Sequence, residues 1–556
     1  MKLDSELYDE FLSELELLEK FRITYSGIHP FAPVERDDQD VQRMVEALAV
    51  FSARSRLAGE RSVERHSLRM FEQHFPYLLS PVPAMTMLRA LPGPRFVDAT
   101  DLPADTEVVI EVPRQSDGAK DPGEDRYSFR TLHPMHIVPI ELKSIRMERR
   151  GNEGSTMRLG FKSQFSRNDA VGKLELFVNH LGDFVSSLLV YSKLKQSIVS
   201  ASICFDEGSD NPEPSVCRVS FGRVTGAPQT ARQLSLSPVE RSRLAFHYPH
   251  QELFVSVQVN QTPRNWSSFE ISLELDRSWP LDLRVTNETL QLGTTAIINL
   301  RRDMANPLVV DGTKDRYRIK HPEFDEGYRM HSIQGVYKLG DQGSEPILPE
   351  VVGGRGESYQ PNIEGVGAKR RAFLSLQLPD ALIEPVTVAT EALWIQPGAG
   401  RSTVLESEVS LPDRFLEGVE WERVGVVEPS RDSGLSERVD DLLRMVALKT
   451  QRFLGREDLL FLLEALGAGK HQYFQRLLQS VASVDVKQVP SGRQASGMKF
   501  VYYLVLENMD TNLLPAVDLF FAEVLKLLQA WSIEEVVELE VDIPNLEEHF
   551  TFQTQI

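Results

Sequence analysis

The chain has 556 residues, of which 41% are apolar and 26% charged, a balance that excludes wholesale disorder and predicts about three to four domains. Acidic residues outnumber basic ones by 81 to 61, and the resulting net charge of −20 argues against non-specific binding to nucleic acid or to anionic membranes. Two cysteines, Cys204 and Cys217, cannot supply a disulfide framework for so long a chain, and both are expected as buried apolar filler. No run approaches the roughly 18 apolar residues of a membrane span, and the opening Met-Lys-Leu-Asp-Ser-Glu has no signal-peptide pattern, so a cytoplasmic protein without direct membrane insertion is expected.

The first 95 residues read as helical. Leu3, Leu7, Phe11, Leu15 and Leu18 recur at spacings of four, four, four and three, which sets them on one stripe of a first helix. His29-Pro30 and Ala32-Pro33 interrupt the pattern. A second helix carries Val41, Met44, Val45, Leu48 and Phe51, introduced by the acids Asp37, Asp38 and Asp40. A third, with Val63, Leu68, Phe71 and Phe75, stops at Pro76. Two arrangements fit: a three-helix bundle, or a first helix that packs on a partner chain through its apolar stripe.

From about residue 100 the period changes to that of strands. Residues 106–112 and 135–147 alternate, separated by the polar stretch 116–125, and 155–163 and 173–179 add two more strands before a short helix at 181–194. This β-rich domain is assigned to 96–230. A second β-rich domain, 231–430, holds strands over 252–310 and 371–427, with a long Gly/Pro-rich loop near 340–370 that includes Gly353-Gly354-Arg355-Gly356. The last domain, 431–556, is α+β: helices over 435–454, 456–466 and 471–483, a strand at 498–507, a helix at 515–531 and a strand at 536–543. The fold class is therefore α+β and multidomain.

Reactive chemistry is not visible. Gly-Lys at 172–173 and 469–470 is followed by Leu and His, so no phosphate-binding loop is present, and there is no Gly-x-Ser-x-Gly elbow. No Cys-x-x-Cys or His-Glu-x-x-His occurs, and the spacing of His133 and His136 on a strand would point them to opposite faces. No catalytic, metal or cofactor residue is assigned. The basic clusters Arg146/Arg149/Arg150 and Lys369/Arg370/Arg371 lack interleaved aromatics and read as solvated turns or salt-bridging patches.

Four collinear stretches resemble one family. They are 7–15 with 40–54 and the Phe75-Pro76-Tyr77 and Pro81-Val82-Pro83 segments; Tyr127-Ser128-Phe129-Arg130-Thr131 with Pro139-Ile140; 174–179; and the run from Leu292-Gly293-Thr294-Thr295 through Asn299-Leu300, Asn306-Pro307, Tyr317 and Tyr328-Arg329-Met330-His331. Their order resembles the TssF family of bacterial type VI secretion systems. Leu132-His133, Val138 and Arg301 depart from the family pattern, and 340–430 matches it poorly.

The resemblance implies a structural baseplate subunit with a phage-baseplate-wedge-like fold, not an enzyme. It implies a wedge of two TssF copies with one TssG, joined by TssE, TssK and a VgrG-type spike hub. The sheath and the membrane complex would be indirect partners, and assembly would be at the inner face of the inner membrane. Leu3, Leu7, Phe11, Leu15 and Leu18 are the expected partner interface. The alternatives are a wedge protein of another contractile machine, such as a phage tail or extracellular tail-like particle, or a carboxylate-dependent hydrolase.

Overall fold

The structure is a computed structural model and describes residues 2–553 except 29–38, 76–77, 114–123, 150–153, 207–208, 210–212, 224–235, 281–282, 324–326, 341–342, 351–355, 365–370, 383, 397, 401–406, 434, 436–437, 491–497 and 533–535. The pair Asp37 and Asp38, most of the polar stretch 116–125, Arg150, Lys369 and Arg370 therefore lie outside the described residues. The chain forms two compact units, one of residues 1–76 and 436–447, the other of 77–435 and 448–556.

The first unit holds helices α1 (Lys2–Ile28) and α2 (Gln39–His74). The second and third helices expected from the pattern are one continuous helix of 36 residues, about 54 Å long. Nothing between Phe51 and Val63 breaks it: Gly59 is the only helix-weakening residue there, and one glycine in a helix interior costs only about 1 kcal/mol. The same unit takes in most of a short helix, α5 (Val439–Leu448), which is 10 residues long rather than the span 435–454 expected. The carbonyl of Leu448 receives the indole N–H of Trp531 (3.2 Å) and the Gln451 amide (3.1 Å), and this turns the chain out of the helix.

In the second unit, a six-stranded antiparallel sheet has the order 408–410, 107–113, 124–131, 294–298, 85–92, 419–428. Its central strand, Thr294–Ile298, is buried along its whole length. Gly293, just before it, has φ +63°, and a Cβ there would lie 2.9 Å from the Ala90 carbonyl, so only glycine allows the close crossing. A five-stranded sheet (215–216, 198–205, 266–275, 155–167, 140–149) and a four-stranded sheet (218–221, 254–258, 173–178, 290–291) follow. Helix α3 (Phe184–Ser197) begins at Asp183, whose carboxylate accepts from the Ser186 amide, and α4 (Pro238–His247) opens with a Ser237/Glu240 capping box.

The expected strand 135–147 is two strands, Met135–Ile137 and Ile140–Arg149, in different sheets. Pro139 has no N–H to donate and restrains Val138, so the ladder breaks there. The Gly/Pro-rich stretch expected as a loop contains strands Gly343–Pro349 and Ser358–Glu364 of an eight-stranded sheet. Pro346 and Pro361 lie within these strands, while the glycines at 353, 354, 365 and 367 fall outside the described residues. Cys217 is buried as expected, but Cys204 is exposed. Ala201, Ile203 and Phe205 point into the core, and the two-residue period of the strand turns Cys204 outward.

The C-terminal part keeps the helices near 456–466 and 471–483 and the strand–helix–strand order read from sequence, but adds two strands not expected there, Val481–Pro490, which cuts the second helix short at Ser480, and Glu548–Gln553. Helices α6 (Arg456–Ala465) and α7 (Gln472–Ser480) precede a sheet of order 481–490, 498–506, 536–543, 548–553. Its parallel pair, 498–506 with 536–543, is joined through α8 (Leu514–Trp531). Phe520 of α8 meets Phe246 of α4 and Phe474 of α7 at ring distances of 5.7 and 4.9 Å.

Candidate partner interface and the polar junction

In the helical unit, Arg56 of α2 reaches Glu10 (3.0 Å) and Glu14 (3.3 Å) of α1. Arg56 lies well inside α2 and the two glutamates lie well inside α1, so the pair is an antiparallel hairpin. Ala49, Ala53, Arg56 and Glu60 share one face of α2 at spacings of four, three and four, and Ala49 and Ala53 are fully covered. That line of small side chains is where α1 approaches.

Leu7, Phe11, Leu15 and Leu18 lie on the same side of α1 as Glu14 and are half-buried. The stripe assigned to a partner thus faces α2 in the same chain. The Leu3 side chain lies outside the described residues.

What remains open is a different set. Leu17, Phe21 and Ile28 form an exposed line on α1, with Phe21 65% exposed, and Met44, Leu48 and Phe51 form one on α2, with Phe51 70% exposed. Met44, Leu48 and Phe51, of the apolar set that marks this helix in the sequence, are exposed, and the covered positions belong to Ala49 and Ala53. A helix apolar on more than one side needs more than one packing surface.

The second unit concentrates its polar side chains in a buried junction. Asn299, fully buried, donates to the Ser128 carbonyl (2.8 Å) and accepts from the Gln396 amide (3.0 Å). The Gln396 side chain donates to the Tyr328 hydroxyl (3.1 Å), which also accepts from Arg301 (2.9 Å). Tyr328 stacks on the buried His321 ring at 4.0 Å, and burial lowers the pKa of that imidazole. Nearby, Asp105 takes both Arg130 (3.0 Å) and Arg302 (2.7 Å), and Thr131 donates to the Pro103 carbonyl (2.9 Å). Ser128, Arg130, Thr131, Asn299 and Tyr328 come from the stretches that carried the resemblance, whereas Arg301 departs from the family pattern. All but Thr131, whose side chain bonds only to Pro103 and Thr106, help to join the six-stranded to the eight-stranded sheet.

His133 and His136 do not converge on a site. His133 sits in a turn, and burial followed by the nearby charges of Arg223, Arg241 and Lys526 holds its pKa well down. His136 is exposed and pairs with Asp101 at 2.6 Å. Among the described residues, no group of three or more His, Cys, Asp or Glu could hold a metal ion, and no helix is long and apolar enough to cross a membrane.

Residues 29–360 match the family model described as "Type VI secretion system, TssF". No curated protein matches the sequence. Two solved structures share the fold. One is of a type VI secretion system TssK-TssF-TssG baseplate subcomplex, at 17% identity over 93% of this chain and 98% of that one, with a TM-score of 0.74. The other is of the baseplate complex from the type VI secretion system, at 15% identity over 99% and 98%, with a TM-score of 0.57. The family model spans well over half of the sequence, and the chain belongs to the TssF family of the type VI secretion system.

Proposed function

We propose that this chain is a structural subunit of a type VI secretion baseplate, with no catalytic step of its own. Two copies would form a wedge with one TssG-type partner, and TssK, TssE and a VgrG-type hub would complete the surroundings. Sheath and membrane complex would be reached indirectly, from the cytoplasm at the inner face of the inner membrane. Family membership supports the role, as does the use of the family stretches for internal joints.

The observation that carries the interface is the outward apolar pair of lines on the helical hairpin. Two phenylalanines about two-thirds exposed, flanked by Leu, Ile and Met, are what a helical partner would bury. Leu7, Phe11, Leu15 and Leu18, only half covered by α2, would complete that bundle, with Leu3 extending it. Phe21→Asp with Phe51→Asp should abolish co-purification with a TssG-type partner at 2:1 while the isolated chain keeps its circular dichroism. Unchanged co-purification would refute the interface.

A further inference from the structure

Three sheets of the second unit end in a strand of 10 residues, and the three edges are built differently. On 140–149 the Asn287 side chain accepts from the Ile145 amide (2.8 Å) and donates to the Lys143 carbonyl (3.2 Å), so one amide group stands where a neighbouring strand would bond. On 419–428 the ladder with 85–92 loses register between Met85 and Met87, and Gly425 takes φ +72°, a kink that spoils a flat template. Strand 481–490 has neither device. Its irregularity lies at its start, between Val481 and Ser483, where Arg456 takes the Val481 carbonyl (3.0 and 2.9 Å). From Ser483 to Val489 it pairs evenly with 499–505 on one side and, among the described residues, with no strand on the other. Pro490 closes the stretch with no N–H to give.

The side chains of this edge alternate between two faces. Val484 and Val486 lie on the side of Leu504 and Tyr502, which are buried, yet both valines are only half-buried, because the sheet stops beside them. A core-facing apolar row left half open at the rim of a sheet is a surface that one more strand would cover. Asp485 and Lys487 point to the other face and are exposed. Lys487 lies over the Tyr503 ring at 4.8 Å, and neither charge has an ion-pair partner among the described residues.

We infer that strand 481–490 is a docking edge for a second copy of this chain, which adds the same strand antiparallel and centred on Val486. The charge pattern selects both the occupant and the register. With a two-fold axis through Val486, position 485 stands opposite position 487, and two Asp485–Lys487 pairs form at once. Moving the centre by one residue sets Asp485 against Asp485 or Lys487 against Lys487, and parallel pairing in register does both. Charges on an edge strand ordinarily repel other strands. Here they are of opposite sign and sit on either side of one residue, so they repel the neighbouring registers and favour the central one. In that register Val486 meets its twin, Val484 faces the stem of Gln488, and Pro490 falls at the irregular start of the other strand, where no ladder bond is lost. The inference goes beyond the hairpin interface proposed above, which lies in the other unit, and does not depend on the baseplate role.

The test uses the full-length chain carrying Phe21→Asp and Phe51→Asp, so that the hairpin contributes no contact, and reads its mass by sedimentation velocity. This chain should be a dimer. Asp485→Lys alone, or Lys487→Asp alone, turns both symmetry-related pairs into like charges and should weaken the dimer about tenfold or more. Mixing the two single variants should restore it as a heterodimer, because every pair is then Lys opposite Asp, and a tag on one variant should capture the other. Misfolding, a contact within one chain, or pairing with a different protein would not give that rescue. A monomeric parent, a dimer indifferent to both changes, or a loss that mixing does not repair would overturn the proposal. Co-purification of a TssG-type protein is read separately from cells, and its failure counts against the baseplate reading alone.

Discussion

Asn299 and Gln396 hold each other by two bonds in opposite senses: the Gln396 amide donates to Asn299 Oδ1 at 3.0 Å, and Asn299 Nδ2 donates to Gln396 Oε1 at 3.3 Å. Gln396 Oε1 also accepts the Ser128 amide at 2.5 Å, and Asn299 Nδ2 bonds the Ser128 carbonyl. One asparagine side chain thus fastens strand 124–131 to the end of strand 386–395. Asn299→Ala would leave the Gln396 N–H and the Ser128 C=O buried with a bond missing. A loss of about 2–4 kcal/mol is expected, read as a lower denaturant midpoint. An unchanged midpoint would mean that water replaces the amide at no cost.

Such a joint was invisible before the fold was known, because its members lie nearly 100 and 270 residues apart. What was legible is local. The strand, helix and strand at 498–506, 514–531 and 536–543 fall where the period changes from two to 3.6 and back. Residues that break a pattern were harder to use: Pro139 split a strand whose composition runs through it without a break. On α2, the large apolar side chains Met44, Leu48 and Phe51 carry the periodic signal, yet the covered residues are Ala49 and Ala53, whose small size is the reason α1 can come close. Sheet partners were not legible at all. Strand 85–92 pairs with 294–298 and 419–428, and alternation says which face is buried but not who lies alongside.

Gly293 and Gly172 allow a controlled comparison. Both have positive φ, +63° and +66°, but the space around them differs. An added Cβ at Gly172 meets nothing within 4 Å, so Gly172→Ala should cost only the left-handed backbone penalty, about 1 kcal/mol. At Gly293 the Cβ collides with the Ala90 carbonyl, and the Ala90 N–H donates to the Gly293 carbonyl at 2.8 Å across the same crossing. Gly293→Ala should cost at least about 1–2 kcal/mol more and lower the hydrogen-exchange protection of the 85–92 strand. Equal melting temperatures for the two variants would sink the argument.

Three imidazoles, His247 buried and His250 and His471 half-buried, predict acid sensitivity. Burial, helped by Arg431 and Arg243, pushes His247 down to about 3. Burial and the neighbouring His471 bring His250 to about 4, with Asp183 opposing, and burial with Arg431 brings His471 to about 4. Phe184 packs on both His250 (4.7 Å) and His471 (5.0 Å). Unfolded histidines titrate near about 6.5, so between that pH and about 4 the unfolded chain binds protons that the folded chain refuses. Their stabilising effect is therefore complete above about pH 6.5 and is lost as pH falls towards 4. Each histidine adds a slope of up to about 1.4 kcal/mol per pH unit. His250→Gln should flatten the stability profile by about one proton in that window. A slope identical to that of the parent chain would show that His250 does not report the folded state.

The hairpin can be tested from inside as well as from its surface. Ala49 and Ala53 have no exposed surface and lie on the Arg56 face, so there is no free volume for a larger side chain between α2 and α1. Ala53→Leu should force the helices apart at a cost of about 1–3 kcal/mol, and protease should then cut α1 faster. Arg56→Ala removes ion pairs to Glu10 and Glu14, but Arg56 is itself half exposed and solvent screens both pairs, so a smaller cost than that of Ala53→Leu is expected. The ranking is what decides. If Arg56→Ala released α1 and Ala53→Leu did not, charge rather than close packing would be holding the hairpin, and the outward lines through Phe21 and Phe51 would lose the rigid backing that a helical partner needs.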